Sequence, residues 1–139
     1  MIIRLLLLCS LALLPVLPAK ADPATFRAFG GVEGLTRVVD DFMRELLADP
    51  RTREFFESVD QENVKRLLVE QFCEELGGGC VYSGRSMAES HRGLGINRAH
   101  FNALVEALQI AMNRNGVPFR AQNRLLAKLA PMHRDIIER

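Results

Sequence analysis

Two properties of the chain predict an all-α fold. Apolar residues recur at steps of three and four almost throughout, and no segment of useful length alternates as a half-buried strand would. Glycine pairs and prolines interrupt that pattern at helix-length intervals.

The elements follow in order. A short helix around Thr25 to Phe29 is broken by Gly30-Gly31. Val32, Leu35, Val38, Val39, Phe42, Met43, Leu46 and Leu47 then define one long amphipathic helix. It ends at Asp49-Pro50, because proline disfavours helix in the residue before it. A brief turn carries Phe55-Phe56, and Asp60 is placed to cap a helix bearing Val64, Leu67, Leu68, Phe72 and Leu76. That helix stops at Gly77-Gly78-Gly79, the start of a glycine-rich loop through Gly84. A shorter helix from about Arg85 to Arg92 precedes Gly93 and Gly95, and Asn97 caps a helix with Phe101, Leu104, Val105, Leu108 and Met112 inside. Pro118 suits the first turn of the last helix, whose inward residues are expected to be Leu125, Leu126, Leu129, His133, Ile136 and Ile137.

Composition divides the chain in two. Of its 139 residues 48% are apolar, and 16 of those fall in the first 21, MIIRLLLLCSLALLPVLPAKA. One arginine, an apolar stretch from Leu5 to Leu17 and the small residues of Ala19-Lys20-Ala21 have the layout of a secretory signal peptide cut after Ala21. The stretch is shorter than the roughly 20 residues a membrane span needs. The expected organisation is therefore a signal peptide over 1–21 and one domain over 22–139, exported to a periplasm-like compartment. Without Arg4 and Lys20 the domain has 16 basic against 17 acidic residues. That near-neutral balance leaves no electrostatic footprint for nucleic acid or anionic lipid, and no membrane insertion is expected after cleavage.

There is no GxGxxG, phosphate loop, CxxC, HExxH or GxSxG, so nucleotide, thioredoxin-like, zinc-protease and common serine-hydrolase readings lack support. Histidines remain. His91 lies four residues after Met87, so both side chains leave the short helix on one face and can share a cavity. The local sequence alone favours a solvated histidine stabilised by the helix dipole. Cys73 and Cys80 flank the triple glycine; an oxidising compartment permits a bridge, and Cys73 also reads as a small buried apolar residue.

The order FGG…VVDDFMRELLADPRTREFF…ELGGG…YSGRSMAESHRGLGI resembles the group 1 truncated haemoglobins, short globins with a two-over-two helical sandwich. The resemblance runs from about Thr25 to Ile137. It implies a haem b (iron protoporphyrin IX) cofactor, and the stretch His91-Arg92-Gly93-Leu94-Gly95-Ile96 places the proximal iron ligand at His91. By the same resemblance Phe42, Phe56, Phe72 and Phe101 line the haem slot with Met87, Ile96 and Val105. Lys65, Arg66, Arg85 and Arg92 are the basic residues near the slot edge that could meet propionates. Within APMH, His133 resembles the histidine that some cyanobacterial relatives join to a haem vinyl group; a buried or edge histidine is the other reading. His100 is expected in solvent.

The sequence departs from the family on the side of the slot where a gas would sit. The family places a tyrosine after the phenylalanine of the second helix, and here Met43 follows Phe42. Val64 and Leu68 occupy the other ligand-facing positions, the second often glutamine in relatives, and Gln71 is the one nearby polar side chain. Met43 reads either as a packing thioether or as a sixth iron ligand in a His/Met pair. The function expected is reversible binding of a diatomic gas (O2, NO or CO). Redox chemistry on nitric oxide, nitrite or peroxide would need a separate electron donor. Two alternatives stay open at this point: an electron-transfer or redox-sensing haem protein using Met43, and a haem-free helical interaction module.

Overall fold

The computed structural model describes residues 23–138; the expected leader over 1–21 lies outside the described residues. Every regular element among the described residues is helical. α1 spans Pro23–Ala28 and α2 spans Gly31–Ala48. The apolar spacing of α2 becomes a buried stripe of Leu35, Val38, Val39, Phe42, Met43 and Leu46. Asp49 ends the helix in an extended conformation, φ −82° and ψ 119°, as a residue before proline is expected to. The turn carrying Phe55-Phe56 is one helical turn, α3 (Arg53–Phe56).

α4 spans Gln61–Glu75, and the Asp60 carboxylate accepts the Asn63 N–H at 3.0 Å. α5 is only Met87–His91, opened by a capping box in which the Ser86 hydroxyl accepts the Glu89 N–H and the Glu89 carboxylate accepts the Ser86 N–H. α6 spans Arg98–Arg114 and is capped by Asn97. α7 spans Phe119–Leu129, with Pro118 just before the helix rather than in its first turn.

The last helix is shorter than its apolar spacing suggests. After Leu129 the chain tightens into a 3₁₀ turn, Ala130–Met132, and resumes as α8, His133–Ile136. Pro131 is the cause: it has no N–H to donate to Ala127 and its ring crowds that carbonyl. Of the residues expected inside, Leu125 is buried, whereas Leu126, Leu129, His133, Ile136 and Ile137 are half-buried.

α2 packs on both α4 and α6, and α7 meets α4 and α6, so the α2–α4 and α6–α7 pairs face each other in two layers. Between them lies a core that includes Leu35, Val38, Leu46, Phe72, Leu108 and Leu125. Each such side chain contributes about 1.5–3 kcal/mol by leaving water. Cys73 and Cys80 are joined, with Cα atoms 5.6 Å apart, tying the end of α4 to the loop that follows. Gly78 fits beneath the bridge only because it lacks a side chain: a Cβ there would lie 2.6 Å from the Phe26 ring and 2.7 Å from Cys73 Sγ. No helix among the described residues is long and apolar enough to cross a membrane.

Candidate cofactor pocket

The inward stripes of α4 and α6 are not fully covered. Val64, Leu67, Leu68, Phe101, Leu104 and Val105 are half-buried although they face the interior, because they border a cavity of about 670 Å³. That volume falls within the roughly 300–1,000 Å³ of small-molecule and cofactor sites.

His91 stands on the cavity wall in the last turn of α5. Its Nδ1 lies 2.7 Å from the Met87 carbonyl oxygen. A carbonyl only accepts, so Nδ1 carries the proton and donates. The bond fixes the ring from behind and leaves Nε2 as the ring nitrogen available to a ligand. A metal-ligating histidine is commonly oriented by such a second hydrogen bond.

Around it the structure gathers residues that lie far apart in sequence. Phe42 comes from α2, Phe56 from α3, Val64, Leu68 and Phe72 from α4, Met87 from α5, Ile96 from the following loop, and Phe101 and Val105 from α6; Arg85 lines the same cavity. Met43 is the exception among the residues expected there. It is 3% exposed, so it is buried, yet it does not line the cavity. Neighbouring helical positions diverge by about 100°, and on α2 it is Phe42 that takes the cavity side. The thioether of Met43 is thus buried off the cavity wall.

The basic candidates separate in the same way. Arg66 and Arg85 border the cavity, whereas Lys65 and Arg92 do not. Lys65 is turned to Glu62 at 2.8 Å and Asp40 at 2.9 Å, and hydrogen bonds to these carboxylates, Glu62 first, raise its pKa above the ordinary lysine value. Arg66 reaches Asn63 at 2.9 Å, the Ser83 hydroxyl at 3.1 Å, and Glu70. Glu70 in turn accepts the Ser83 hydroxyl at 2.6 Å and the Ser83 N–H at 3.0 Å, which together with Arg66 lower its pKa below the usual glutamate range. His133 does not line the cavity; its Nδ1 sits 2.8 Å from the Ala130 carbonyl and its ring lies edge-on to Phe101.

Two further polar residues stand on the wall. His100, expected in solvent, is half-buried on the wall, with its ring edge-on to Phe55 at a centroid distance of 5.0 Å. Gln71 is only 8% exposed and also lines the cavity, its Nε2 3.5 Å from the sulfur atoms of Met87 and Met132. Its position three residues after Leu68 puts it on the same face of α4. Met132 reaches the wall because the chain breaks at Pro131.

The donor set discriminates among cofactors. Among the described residues no group of three His, Cys, Asp or Glu side chains could hold a bare metal ion. An imidazole oriented from behind, in a largely apolar slot, instead suits a metal that brings its own equatorial ligands, with Arg66 and Arg85 available for acidic substituents at the edge. The residues present therefore fit an iron porphyrin.

An all-helical sandwich closed around such a slot, with one histidine aimed into it, defines a globin-type protein. The chain belongs to the bacterial-like globin family, whose pattern it matches over residues 24–138. It is 35% identical over 118 residues to the group 1 truncated hemoglobin GlbN of Mycolicibacterium paratuberculosis, covering 84% of this chain and 87% of that one. It is 32% identical over 97 residues to the group 1 truncated hemoglobin GlbN of Synechocystis, covering 67% and 78%. The crystal structure of the Tetrahymena pyriformis truncated hemoglobin in its Fe(III) form superposes with a TM-score of 0.78 at 25% identity, over 83% of this chain and 98% of that chain. Membership of the family implies a haem cofactor.

Proposed function

We propose that this chain is an exported haem b globin that reversibly binds a diatomic gas, with His91 as the proximal ligand. The observation that carries the reading is the orientation of His91: the Met87 carbonyl accepts from Nδ1 at 2.7 Å and leaves Nε2 for iron at the wall of a largely apolar slot. When bound, the haem would supply an iron able to take O2, NO or CO.

The protein's own residues do the rest. Phe42, Phe72 and Phe101 flank the slot and keep water from its interior. Arg66 and Arg85 are placed to meet propionate carboxylates. On the α4 wall Val64 and Leu68 have no hydrogen to donate to a polarised ligand, and the Gln71 amide on the same wall is turned to the sulfur atoms of Met87 and Met132. Export is supported by the leader-like layout of residues 1–21 and by a disulfide suited to an oxidising compartment. Any turnover of nitric oxide, nitrite or peroxide draws electrons from a separate donor. The test is the visible spectrum of the purified ferrous protein before and after carbon monoxide. A five-coordinate ferrous spectrum shifting to a sharp Soret band with carbon monoxide is expected, and a protein that takes up no haem overturns the reading.

A further inference from the structure

α5 has only five residues, too few to hold its own direction, so the aim of the His91 ring depends on what anchors the two ends of the helix. The front anchor is the capping box of Ser86 and Glu89. At the back, the chain leaves His91 through Arg92-Gly93-Leu94-Gly95-Ile96. Gly93 and Gly95 both adopt positive φ, 78° and 66°, which turns their N–H groups toward one point. That point is filled by the Glu138 carboxylate: one oxygen accepts from Gly93 N–H and the other from Gly95 N–H, the latter at 3.0 Å. The Glu138 N–H donates to the Ile96 carbonyl at 2.8 Å, and α8 packs against α5. A residue 47 positions after His91 thus grips both glycines of the loop that continues from it.

We propose that Glu138 is a positioning residue for the proximal histidine: its carboxylate, held in the nest of the Gly93 and Gly95 amides, fixes the rear of α5 and so the angle at which His91 Nε2 meets iron. The inference rests on the reading of His91 as the haem ligand. Charge-assisted hydrogen bonds are about twice as strong as neutral ones, and both arms of the carboxylate are engaged. Removing it frees the loop while leaving the α2–α4–α6–α7 core, to which Glu138 does not belong, in place.

The experiment uses the full chain with Glu138→Ala and Glu138→Gln, and with Asp135→Ala as a control that removes a neighbouring exposed acid. In the haem-free protein, amide hydrogen exchange at Gly93 and Gly95 is expected to accelerate about tenfold in Glu138→Ala relative to amides of α2 and α6. In the haem-loaded protein, the iron–histidine stretching band in the resonance Raman spectrum of the ferrous form is expected to shift and broaden, and haem transfer to an acceptor apoglobin to quicken severalfold. Glu138→Gln, which keeps one accepting oxygen, falls between, and Asp135→Ala behaves as wild type. Unchanged exchange at both glycines overturns the proposal, as does faster exchange with an unaltered band and unaltered haem loss. Absence of an iron–histidine band from the wild-type protein instead removes the assignment of His91 as ligand, a separate failure.

Discussion

On the proposed reading, replacing Leu68 with glutamine should slow the release of oxygen. Leu68 stands on the α4 wall one turn after Val64, and neither these side chains nor Phe42 carries an N–H or O–H group. Thr52 and Gln71 also border the cavity, but the Thr52 hydroxyl is 2.8 Å from the Leu46 carbonyl and Gln71 Nε2 is turned to the sulfur atoms of Met87 and Met132 at 3.5 Å. Dioxygen held at ferrous iron acquires partial negative charge, and an amide N–H directed at it makes a charge-assisted hydrogen bond of about 1.5–3 kcal/mol. At about 1.4 kcal/mol per decade, oxygen dissociation slows by roughly 10- to 150-fold. Carbon monoxide gains only a neutral contact of about 0.5 kcal/mol, roughly twofold. Stopped-flow displacement of oxygen by carbon monoxide measures the first rate, and displacement of carbon monoxide by nitric oxide the second. If wild type already releases oxygen as slowly as the variant, a donor reaches the ligand and the apolar reading of this wall is refuted. An equal slowing of both gases would show that the glutamine acts by blocking the exit.

Two other consequences can be checked without gas. Opening the Cys73–Cys80 bridge, by reductant or by Cys73→Ser with Cys80→Ser, releases a loop of sequence separation 7. Its closure entropy corresponds to about 2.5 kcal/mol, and calorimetry should show Tm falling by roughly 10 °C for a domain of this size. Glu70, whose pKa is lowered chiefly by the Ser83 hydroxyl and N–H, contributes stability that is present above the unfolded glutamate pKa and lost as pH falls through its depressed folded value. Glu70→Gln should therefore lower the urea midpoint at neutral pH and converge with wild type in acid. Parallel curves throughout that range would show that the carboxylate's charge contributes nothing.

The long helices were legible because their information is local. The spacing in α2, the caps at Asp60 and Asn97 and the stops at Pro50 and the triple glycine all act within a few residues. The pairing of Met87 with His91 was legible for the same reason, as a four-residue step on one helix face. What stayed hidden depends on distant partners. Lys65 carries no sign in its own helix that Asp40, 25 residues earlier, turns it from the cavity. His100 reads as a solvated residue at the start of α6 until Phe55 of α3 packs edge-on against its ring. Periodicity could place Phe42 and Met43 inside together, but choosing which of two adjacent buried residues faces the slot needs the packing of α4 and α6 around them. The break at Pro131 was a local signal outweighed by the apolar spacing that continues on either side of it.

The central claim is that one nitrogen, Nε2 of His91, holds the cofactor, and the most direct test is a haem titration of His91→Gly with and without added imidazole. The account predicts that the variant loses the five-coordinate ferrous spectrum and binds haem at least about tenfold more weakly, and that free imidazole entering the vacated space restores the wild-type bands. A His91→Gly protein that keeps the wild-type spectrum and affinity without imidazole would contradict it.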